Sequence, residues 1–283
     1  MKAIILAAGY ATRLYPLTEN FPKPLLPVGG KAILDWLVED LWDSVEQFIV
    51  VTNHKFVGEF EKWAVKKNGG CGEDFAVDVE GNENGRPGLD EGCRKIDGAD
   101  VMSEAGRSGL DAGCQKIIVI DDGTETNEPR LGAVKDIQLA AEGLKDDVLV
   151  MAGDNVLTFS LVPFISYGKA SGTSCVMCHE ENRLTALQKT AVITTDSEGL
   201  ITSYEEKPWE PKGNLAVPPF YYFRAEDLGR IQEALEDGCG YDAPGSFAAW
   251  LSTKTPMHAW KMPGVRYDIG DLESYRKVNE RMG

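Results

Sequence analysis

The residues best suited to chemistry lie near the start of the chain, where an apolar strand predicted over Lys2–Leu6 runs into a loop of small residues. That loop reads Ala7-Ala8-Gly9-Tyr10-Ala11-Thr12-Arg13. Small side chains let a backbone approach a ligand closely, and consecutive exposed amide N–H groups form a concave surface that suits phosphate oxygens. Arg13 and Lys23 add positive charge beside the loop. The pattern predicts a phosphate-binding loop, although a plain strand-to-loop turn with a solvated lysine has the same local sequence.

Two carboxylates further along the chain could complete such a site. Asp154 follows the apolar run 147–151, and an aspartate placed there is costly to desolvate unless it meets a cation. Turn or cap aspartates are also common after strands. Asp268 precedes the last predicted helix, where the helix dipole alone could account for a carboxylate. The residues by themselves leave both alternatives open.

Composition narrows the classes of partner. The chain has 283 residues and a formal net charge of −16, which disfavours nucleic acid, whereas a nucleotide needs only a local cationic pocket. We find no apolar run of membrane-spanning length and no basic-then-apolar leader, so we expect no membrane partner and a cytoplasmic location. Hydrolase and kinase readings are disfavoured because the sequence lacks a Gly-x-Ser-x-Gly elbow, a P-loop lysine motif and a His-Glu-x-x-His pair.

The six cysteines do not indicate a disulfide framework. Without a secretory leader they favour free thiols. Cys175 and Cys178 form a C-x-x-C pair, but they lie on a strand predicted over 174–180, where residues three apart point to opposite faces. We therefore expect no metal or redox site at this pair.

The order of elements predicts an α/β fold. Helices at 32–41 and 57–65 alternate with strands at 2–6 and 47–52, which favours a Rossmann-like mixed, mainly parallel sheet flanked by helices. Ligands of such sheets bind at the carboxyl ends of the strands, where the small-residue loop would lie. Further strands are predicted at 117–120, 147–151, 174–180, 191–195, 201–204 and 257–262, and further helices at 131–144, 226–235, 246–251 and 272–281.

The stretch 69–114 interrupts this pattern. It holds 11 acidic residues, 4 basic residues and 11 glycines, which predicts a flexible loop or a small satellite. A near repeat of 88–96 at 109–117 indicates a local duplication. Its three cysteines and many carboxylates could suggest a metal site, and Asp78, Glu80 and Asn82 alternate as in a calcium loop. The glycine and the terminal glutamate of such a loop are misplaced, however, so we favour an oligomer contact or a solvated excursion.

The loop, Thr12-Arg13-Leu14 and Pro22-Lys23-Pro24-Leu25-Leu26-Pro27-Val28 together closely resemble the signature of the nucleoside-triphosphate transferase family. The chain is similar to the sugar-1-phosphate nucleotidylyltransferases, such as the glucose-1-phosphate thymidylyltransferases and uridylyltransferases. This resemblance implies a GT-A-like fold and a single domain over 1–283, with 69–114 as an insert of unknown role.

The resemblance also implies roles for individual residues. Arg13 and Lys23 would be catalytic, and Mg²⁺ would be held by Asp154 and Asp268. Glu206 and Lys207, within Glu205-Glu206-Lys207-Pro208, would bind the sugar phosphate. The implied nucleotide-binding residues are Leu6, Ala7, Ala8, Gly9, Thr12, Arg13 and Gly132.

The implied reaction transfers a nucleoside monophosphate from a nucleoside triphosphate, with dTTP or UTP favoured, to a sugar 1-phosphate. The family also implies homo-oligomers. Asp121, Asp122 and Thr124 stand where relatives often carry a glutamine near the base, and 189–190 and 218–221 depart from the hexose enzymes, so base and sugar stay open. The alternatives are a cytidylyltransferase acting on phosphocholine or another small phosphate, and a non-catalytic regulatory homologue that binds nucleotide sugars.

Overall fold

The computed structural model describes residues 1–69, 115–128 and 130–283. Apart from Gly69, the insert predicted at 69–114 lies outside these ranges, and so do its three cysteines and its near repeat, except for residues 115–117 at the end of the second copy. The strands of the described residues are β1 (Lys2–Leu6), β2 (Pro27–Val28), β3 (Lys31–Ala32), β4 (Gln47–Thr52), β5 (Ile117–Asp121), β6 (Val148–Ala152), β7 (Asn155–Leu157), β8 (Ser174–Glu180), β9 (Ala191–Thr195), β10 (Ile201–Glu206), β11 (Leu215–Val217), β12 (Phe220–Phe223), β13 (Met257–Lys261) and β14 (Arg266–Asp268). The α-helices are α1 (Ile33–Leu41), α2 (Val57–Lys67), α3 (Ala133–Ala141), α4 (Val162–Ser171), α5 (Leu184–Leu187), α6 (Ala225–Leu228), α7 (Ile231–Glu236), α8 (Pro244–Ser252) and α9 (Leu272–Met282).

One large mixed sheet organises these elements. Its strands run in the order β10-β9-β11-β8-β12-β6-β1-β4-β5, and β13 pairs with β8. β6, β1, β4 and β5 are mutually parallel, whereas β12 lies antiparallel to both β6 and β8. The carboxyl ends of the parallel strands therefore share one edge, and the boundary between the parallel and antiparallel halves falls beside β6. The predicted mixed, mainly parallel α/β fold is confirmed.

Helices cover both faces of the sheet because its central strands are apolar on both sides. On β1, Ala3 and Ile5 pack into the core beneath α1, α2 and α4, and Ile4 packs into the opposite core beneath α3, α7 and α8. This alternation follows from the two-residue period of a strand. Cys175 and Cys178 are likewise buried in opposite cores, as expected from their spacing. The two thiols cannot converge on one ligand in this arrangement.

A third, smaller core lies at the edge where the parallel strands β6, β1, β4 and β5 end, which is the ligand-binding edge of sheets of this kind. Leu14, Val28 and Ile33 from the first part of the chain pack there against Ile269 and Val278 from its last part. β14 pairs with β7, and α9 contacts β2. This cluster fixes the end of the chain against the loop that follows β1.

Two sequence-based expectations differ from the structure. The helix predicted at 226–235 is two short helices, α6 and α7, separated by Gly229 and Arg230. Asp268 ends a strand, and Asp271 is the residue that caps α9, where it accepts a hydrogen bond from the Ser274 amide. Because Asp268 lies ahead of the cap residue and outside the first helical turn, the helix-dipole explanation for it is wrong. No helix in the described ranges is long and apolar enough to cross a membrane.

Asp136 is a buried carboxylate in the first part of α3. The residue is only 5% exposed, and within the described ranges its Oδ1 has no hydrogen-bond partner. The pKa of Asp136 is raised to about 7, chiefly by burial and also by the nearby charge of Asp122, while Arg130 acts in the opposite direction. An acid whose pKa is higher in the folded state than in the unfolded state destabilises the fold when it ionises. The loss grows as the pH rises from the ordinary aspartate range towards 7, and it is constant above.

We expect Asp136→Asn to increase the free energy of unfolding, by about 2 kcal/mol more at pH 8 than at pH 5, because the amide carries no charge to desolvate. Urea denaturation at the two pH values measures this difference. The exposed Asp146→Asn serves as the control and should change stability little at either pH. An equal effect of Asp136→Asn at both pH values would contradict the assigned cause.

Candidate active site

Lys23 and Asp154 form an ion pair at the ligand-binding edge of the sheet. Lys23 lies on a short 3-10 helix (Lys23–Leu25) whose residues are all buried, and Asp154 lies between β6 and β7. The Lys23 Nζ is 2.6 Å from Asp154 Oδ2, and the two side chains are 9% and 33% exposed. A lysine this buried needs a counter-charge, which Asp154 supplies. Lys23 is therefore not a solvated lysine, and Asp154 meets a cation, as its position after a buried strand suggested.

The loop after β1 lies next to this pair. Leu6 is opposite Ala152 in the sheet, and its carbonyl accepts a 3.0 Å hydrogen bond from the Gly153 amide. On the other side, Asn53 Nδ2 donates to the Ala8 carbonyl over 3.0 Å. Ala7 is buried, whereas Gly9 is exposed and open around its Cα. The backbone of this loop is thus held between the ends of β4 and β6.

Thr12 and Arg13 lie on a 3-10 helix (Thr12–Leu14) that follows Ala11, and Ala11 has the left-handed φ of 47°. The side chain of Arg13 is exposed. The pKa of Asp271 lies below its usual value, chiefly because the Ser274 amide donates to this carboxylate, and the charge of Arg13 also contributes. Arg13 therefore lies near the start of α9, on the side of the site where Asp268 is found.

Asp268 is brought beside Asp154 by the pairing of β14 with β7. It lies opposite Asn155, and the amide of the next residue, Ile269, donates to the Asp154 carbonyl over 3.4 Å. Arg266, on the same strand, donates to Asn155 Oδ1 over 2.6 Å, and its Nη1 is 3.7 Å from Asp268 Oδ2. Arg266 and Asn155 were not predicted as site residues from the sequence, although each lies within two residues of a predicted one, Asp268 and Asp154 respectively.

The donor set at this point suits a hard divalent cation. Asp154, next to β7, and Asp268, at the end of the paired strand β14, offer carboxylate oxygens, which is the kind of ligand that Mg²⁺ takes, together with water and substrate phosphate. No group of three or more His, Cys, Asp or Glu side chains in the described ranges could hold a metal ion by itself. The residues therefore fit Mg²⁺ bound with a phosphate substrate rather than a closed structural metal site.

Glu206 ends β10 with its carboxylate turned inwards. Its Oε2 is buried and has no hydrogen-bond partner in the part of the chain that the structure describes. Burial raises the pKa of Glu206, and the neighbouring Lys207 partly offsets this effect. A Cβ atom on Gly245, in the first turn of α8, would collide with Oε2. Gly245 was not predicted as a site residue from the sequence, because only the folded structure shows that Glu206 Oε2 occupies the space that a side chain at this position would need.

Lys207 has an exposed side chain on a constrained backbone. Its φ of 49° is left-handed, an uncommon conformation for a lysine and one that clusters at functional sites. The Lys207 amide donates to the Thr190 carbonyl over 3.1 Å, and Thr190 Oγ1 donates to the Val217 carbonyl over the same distance. Two residues later, the Pro219 carbonyl accepts from the Ala152 amide. This chain of contacts connects Lys207 with the end of β6, beside Asp154.

Gly132 lies apart from the ion pair, at the start of α3. Its φ is 95°, and a Cβ atom there would lie 2.6 Å from a ring carbon of Tyr241. The Tyr241 carbonyl accepts a hydrogen bond from the Val134 amide in the first turn of α3. The glycine is thus required by packing, whatever its contact with a nucleotide. The loop before it reaches the β1 loop through Tyr10, whose hydroxyl donates to the Thr124 carbonyl over 2.9 Å.

A family model described as nucleotidyl transferase matches residues 2–283. The chain belongs to this family. The family resemblance stated from the motifs is thereby confirmed, and it extends over both the loop with Lys23 and the strand with Asp268.

Curated relatives of this nucleotidyl transferase differ in the nucleotide that their names state. The chain is 26% identical to a glucose-1-phosphate adenylyltransferase of Thermotoga neapolitana, covering 98% of this chain and 59% of the relative. It is 26% identical to the low-salt glycan biosynthesis nucleotidyltransferase Agl11 of Haloferax volcanii, covering 90% and 63%. A UTP-glucose-1-phosphate uridylyltransferase of Synechocystis is 24% identical, with 97% and 61% covered. The chain spans about 60% of the length of these relatives.

Solved structures share the fold of this nucleotidyl transferase. A putative glucose-1-phosphate thymidylyltransferase from Bacillus anthracis superposes with a TM-score of 0.72 at 19% identity, covering 100% of this chain and 95% of the other. A UDP-glucose pyrophosphorylase complexed with UDP-glucose gives 0.70 at 19% identity, with 99% and 97% covered. At this identity the likeness establishes the fold, which is the GT-A-like nucleotidyltransferase architecture expected from the motifs.

We expect Gly245→Ala to displace the Glu206 carboxylate. If Glu206 binds the sugar phosphate, as the resemblance implies, kcat/KM for this acceptor should fall about tenfold or more, since a hydrogen bond to a charged group contributes about 1.5–3 kcal/mol. Initial rates of pyrophosphate release at varied acceptor concentration measure it. Gly229→Ala is the matched control, because a Cβ there makes only ordinary contacts of 3.6 Å and 3.7 Å with backbone oxygens. Unchanged acceptor kinetics in a folded Gly245→Ala variant would show that the position of Glu206 does not matter.

Proposed function

We propose that this protein transfers a nucleoside monophosphate from a nucleoside triphosphate to a sugar 1-phosphate and releases pyrophosphate. The observation that carries the proposal is the ion pair between Lys23 and Asp154, which lies beside the loop 6–9 at the carboxyl ends of β1 and β6. A nearly buried cation, exposed backbone amides and a carboxylate meet there. This is the combination that a reacting phosphate requires.

Such a site can work without a protein nucleophile. Phosphoryl-group transfer depends mainly on positioning and on neutralisation of charge. In the proposed reaction the amides of Ala8 and Gly9 hold the triphosphate, with Leu6, Ala7 and Thr12 shaping the loop around it. Arg13 neutralises the departing β- and γ-phosphates, and Lys23 stabilises negative charge at the α-phosphorus.

The acceptor is held by the other half of the sheet. Lys207 binds its phosphate, and Glu206 accepts hydrogen bonds from sugar hydroxyls, which supply the donors that its buried oxygen lacks. A phosphate oxygen of the acceptor attacks the α-phosphorus in line and forms the new P–O bond. The bond from the α-phosphorus to the oxygen bridging it to the β-phosphorus breaks, and pyrophosphate leaves with the electron pair.

Asp154 and Asp268 would hold Mg²⁺ in this scheme. When bound, the ion supplies positive charge to the phosphate oxygens and so lowers the cost of charge developing in the transition state. Both carboxylates have a protein cation nearby, Lys23 and Arg266 respectively, which balances their charge in the structure described above.

For the nucleotide we propose dTTP or UTP, which the names of a uridylyltransferase relative and a thymidylyltransferase neighbour support. Adenylyltransferases among the relatives make ATP the competing choice. Gly132, at the start of α3, is the residue proposed to approach the base. We also propose a cytoplasmic location and a homo-oligomer, both on the family resemblance.

The proposed function is tested by pyrophosphate release across a matrix of nucleoside triphosphates and acceptors, with and without Mg²⁺. The triphosphates are ATP, GTP, CTP, UTP and dTTP, and the acceptors are a panel of sugar 1-phosphates and phosphocholine. We expect a magnesium-dependent signal with a sugar 1-phosphate. A signal confined to CTP and phosphocholine would identify the cytidylyltransferase instead, and silence from a folded protein that binds nucleotide sugars would identify a regulatory homologue.

We expect Lys23→Met and Asp154→Asn each to lower kcat by orders of magnitude while the protein stays folded, because the first removes positive charge at the reacting phosphate and the second removes a carboxylate proposed to hold Mg²⁺. Methionine keeps the apolar stem that the buried lysine packs into its pocket. Lys62→Met, on the exposed surface of α2, is the control for losing a lysine. Near-normal turnover in either variant would remove the role assigned to that residue.

A further inference from the structure

Both oxygens of the Asp154 carboxylate are held by neighbouring side chains. Oδ2 accepts a hydrogen bond from Lys23 Nζ over 2.6 Å, and Oδ1 accepts from Asn155 Nδ2 over 2.8 Å. The Asn155 carboxamide is held in turn, because its Oδ1 accepts from Arg266 over 2.6 Å. Arg266, Asn155, Asp154 and Lys23 therefore form one continuous series of contacts.

Arg266 determines which way the Asn155 carboxamide faces. Guanidinium groups only donate hydrogen bonds, so the amide oxygen must point towards Arg266 and its NH₂ group towards Asp154. The opposite orientation would place the amide oxygen against a carboxylate oxygen, and both are acceptors. Asn155 is 1% exposed, so water has little access to replace either contact. Its Nδ2 also lies 3.4 Å from the Ala152 carbonyl, which further fixes the amide.

The contact with Asn155 is the shortest that the structure gives for Arg266. Its side chain is 18% exposed, and its Nη1 is 3.7 Å from Asp268, beyond hydrogen-bond distance. Its charge also reaches the partly buried His179, whose pKa is lowered chiefly by desolvation and also by Arg266. Arg266 and Asp268 lie two residues apart on β14 and so face the same side of it. The Arg266 side chain therefore lies on the side of β14 that carries Asp268 and faces Asn155.

We propose that Arg266 is a positioning residue for nucleotidyl transfer, acting through Asn155 to hold the Asp154 carboxylate in one orientation. This inference rests on the proposed function, because it concerns the carboxylate assigned to that reaction. In this way Arg266, on β14 near the end of the chain, fixes the orientation of Asp154, between β6 and β7. Arg266 does not need to touch a substrate to act in this way.

A positioning role and a pure charge effect differ in one measurable respect. If Arg266 acts through Asn155, removing either residue breaks the same series of contacts, and removing both costs little more. If Arg266 acts only by its positive charge, the amide is a separate contributor. The effects of the two substitutions on rate then multiply.

The test is a double-mutant cycle with Arg266→Met, Asn155→Ala and the double variant, using kcat and the KM for the nucleoside triphosphate. We expect each single variant to lower kcat about tenfold or more with a smaller change in KM, since effective geometry is worth this much in positioned reactions. The double variant should be no slower than about threefold below the slower single variant. Arg266→Lys should recover part of the rate, because lysine also only donates.

Arg276→Met, an exposed arginine on α9, is the matched control and should retain wild-type kinetics. Thermal unfolding of all variants separates loss of rate from loss of fold. Multiplying rate effects, or Arg266→Met kinetics equal to those of the control, would overturn the proposal.

A crystal structure of Arg266→Met provides a readout that does not depend on activity. We expect the Asn155 carboxamide to turn, or the Asp154 carboxylate to leave its contact with Lys23. Unchanged positions of both side chains would overturn the inference even if the rate fell. If the wild-type protein shows no transfer at all, the proposed function fails, and this structure still decides whether Arg266 positions Asp154.

Discussion

The contact between Lys23 and Asp154 joins two segments that lie far apart in the sequence, and the rest of the ligand-binding edge is built around it. Lys23 is almost fully buried, so it needs a counter-charge to be stable there. The 3-10 helix that carries it is held by its own buried residues, and Asp154 is held by the sheet strand before it and by Asn155 after it. A phosphate and a divalent cation are the natural partners of these two groups, which hold each other when neither is bound.

The parallel part of the sheet carries the residues proposed to bind the nucleoside triphosphate, and the antiparallel part carries those proposed to bind the acceptor. Parallel strands β1 and β6 end at the loop and at Asp154, whereas the antiparallel strands from β12 to β10 carry Glu206 and Lys207. The hydrogen bond from Ala152 to Pro219 lies at the boundary between them. In the proposed reaction, donor and acceptor meet at this boundary, outside the carboxyl ends of the parallel strands, where open α/β sheets bind their ligands.

The parallel strands of the sheet could be predicted from the sequence because each is indicated by a short local pattern of residues. An apolar run ending in small residues identified β1 and its loop, and the apolar run before Asp154 identified β6. The cost of burying a carboxylate made a cation near Asp154 one of two alternatives, beside a turn or cap aspartate, and the structure shows Lys23 there. Residue roles taken from the family resemblance remain predictions, as does the Mg²⁺ site.

The remaining features depend on packing between distant segments, which leaves no periodic signal. Asp268 was open to a helix-dipole explanation because the strand β14 has only three residues and pairs with a partner far away in the chain. Arg266 and Gly245 acquire meaning only through Asn155 and Glu206, which contact them in the folded protein. The break between α6 and α7 lies at Gly229 and Arg230, where apolar spacing alone suggested a continuous helix.

We expect a phosphate of the bound triphosphate to replace the Asp154 carboxylate at Lys23. The most direct test is a crystal structure with the α,β-methylene analogue of the triphosphate that gives the highest turnover. The account predicts the Lys23 Nζ within hydrogen-bond distance of an α-phosphate oxygen and no longer 2.6 Å from Asp154. A triphosphate bound with the ion pair unchanged and Lys23 out of reach of any phosphate would contradict it.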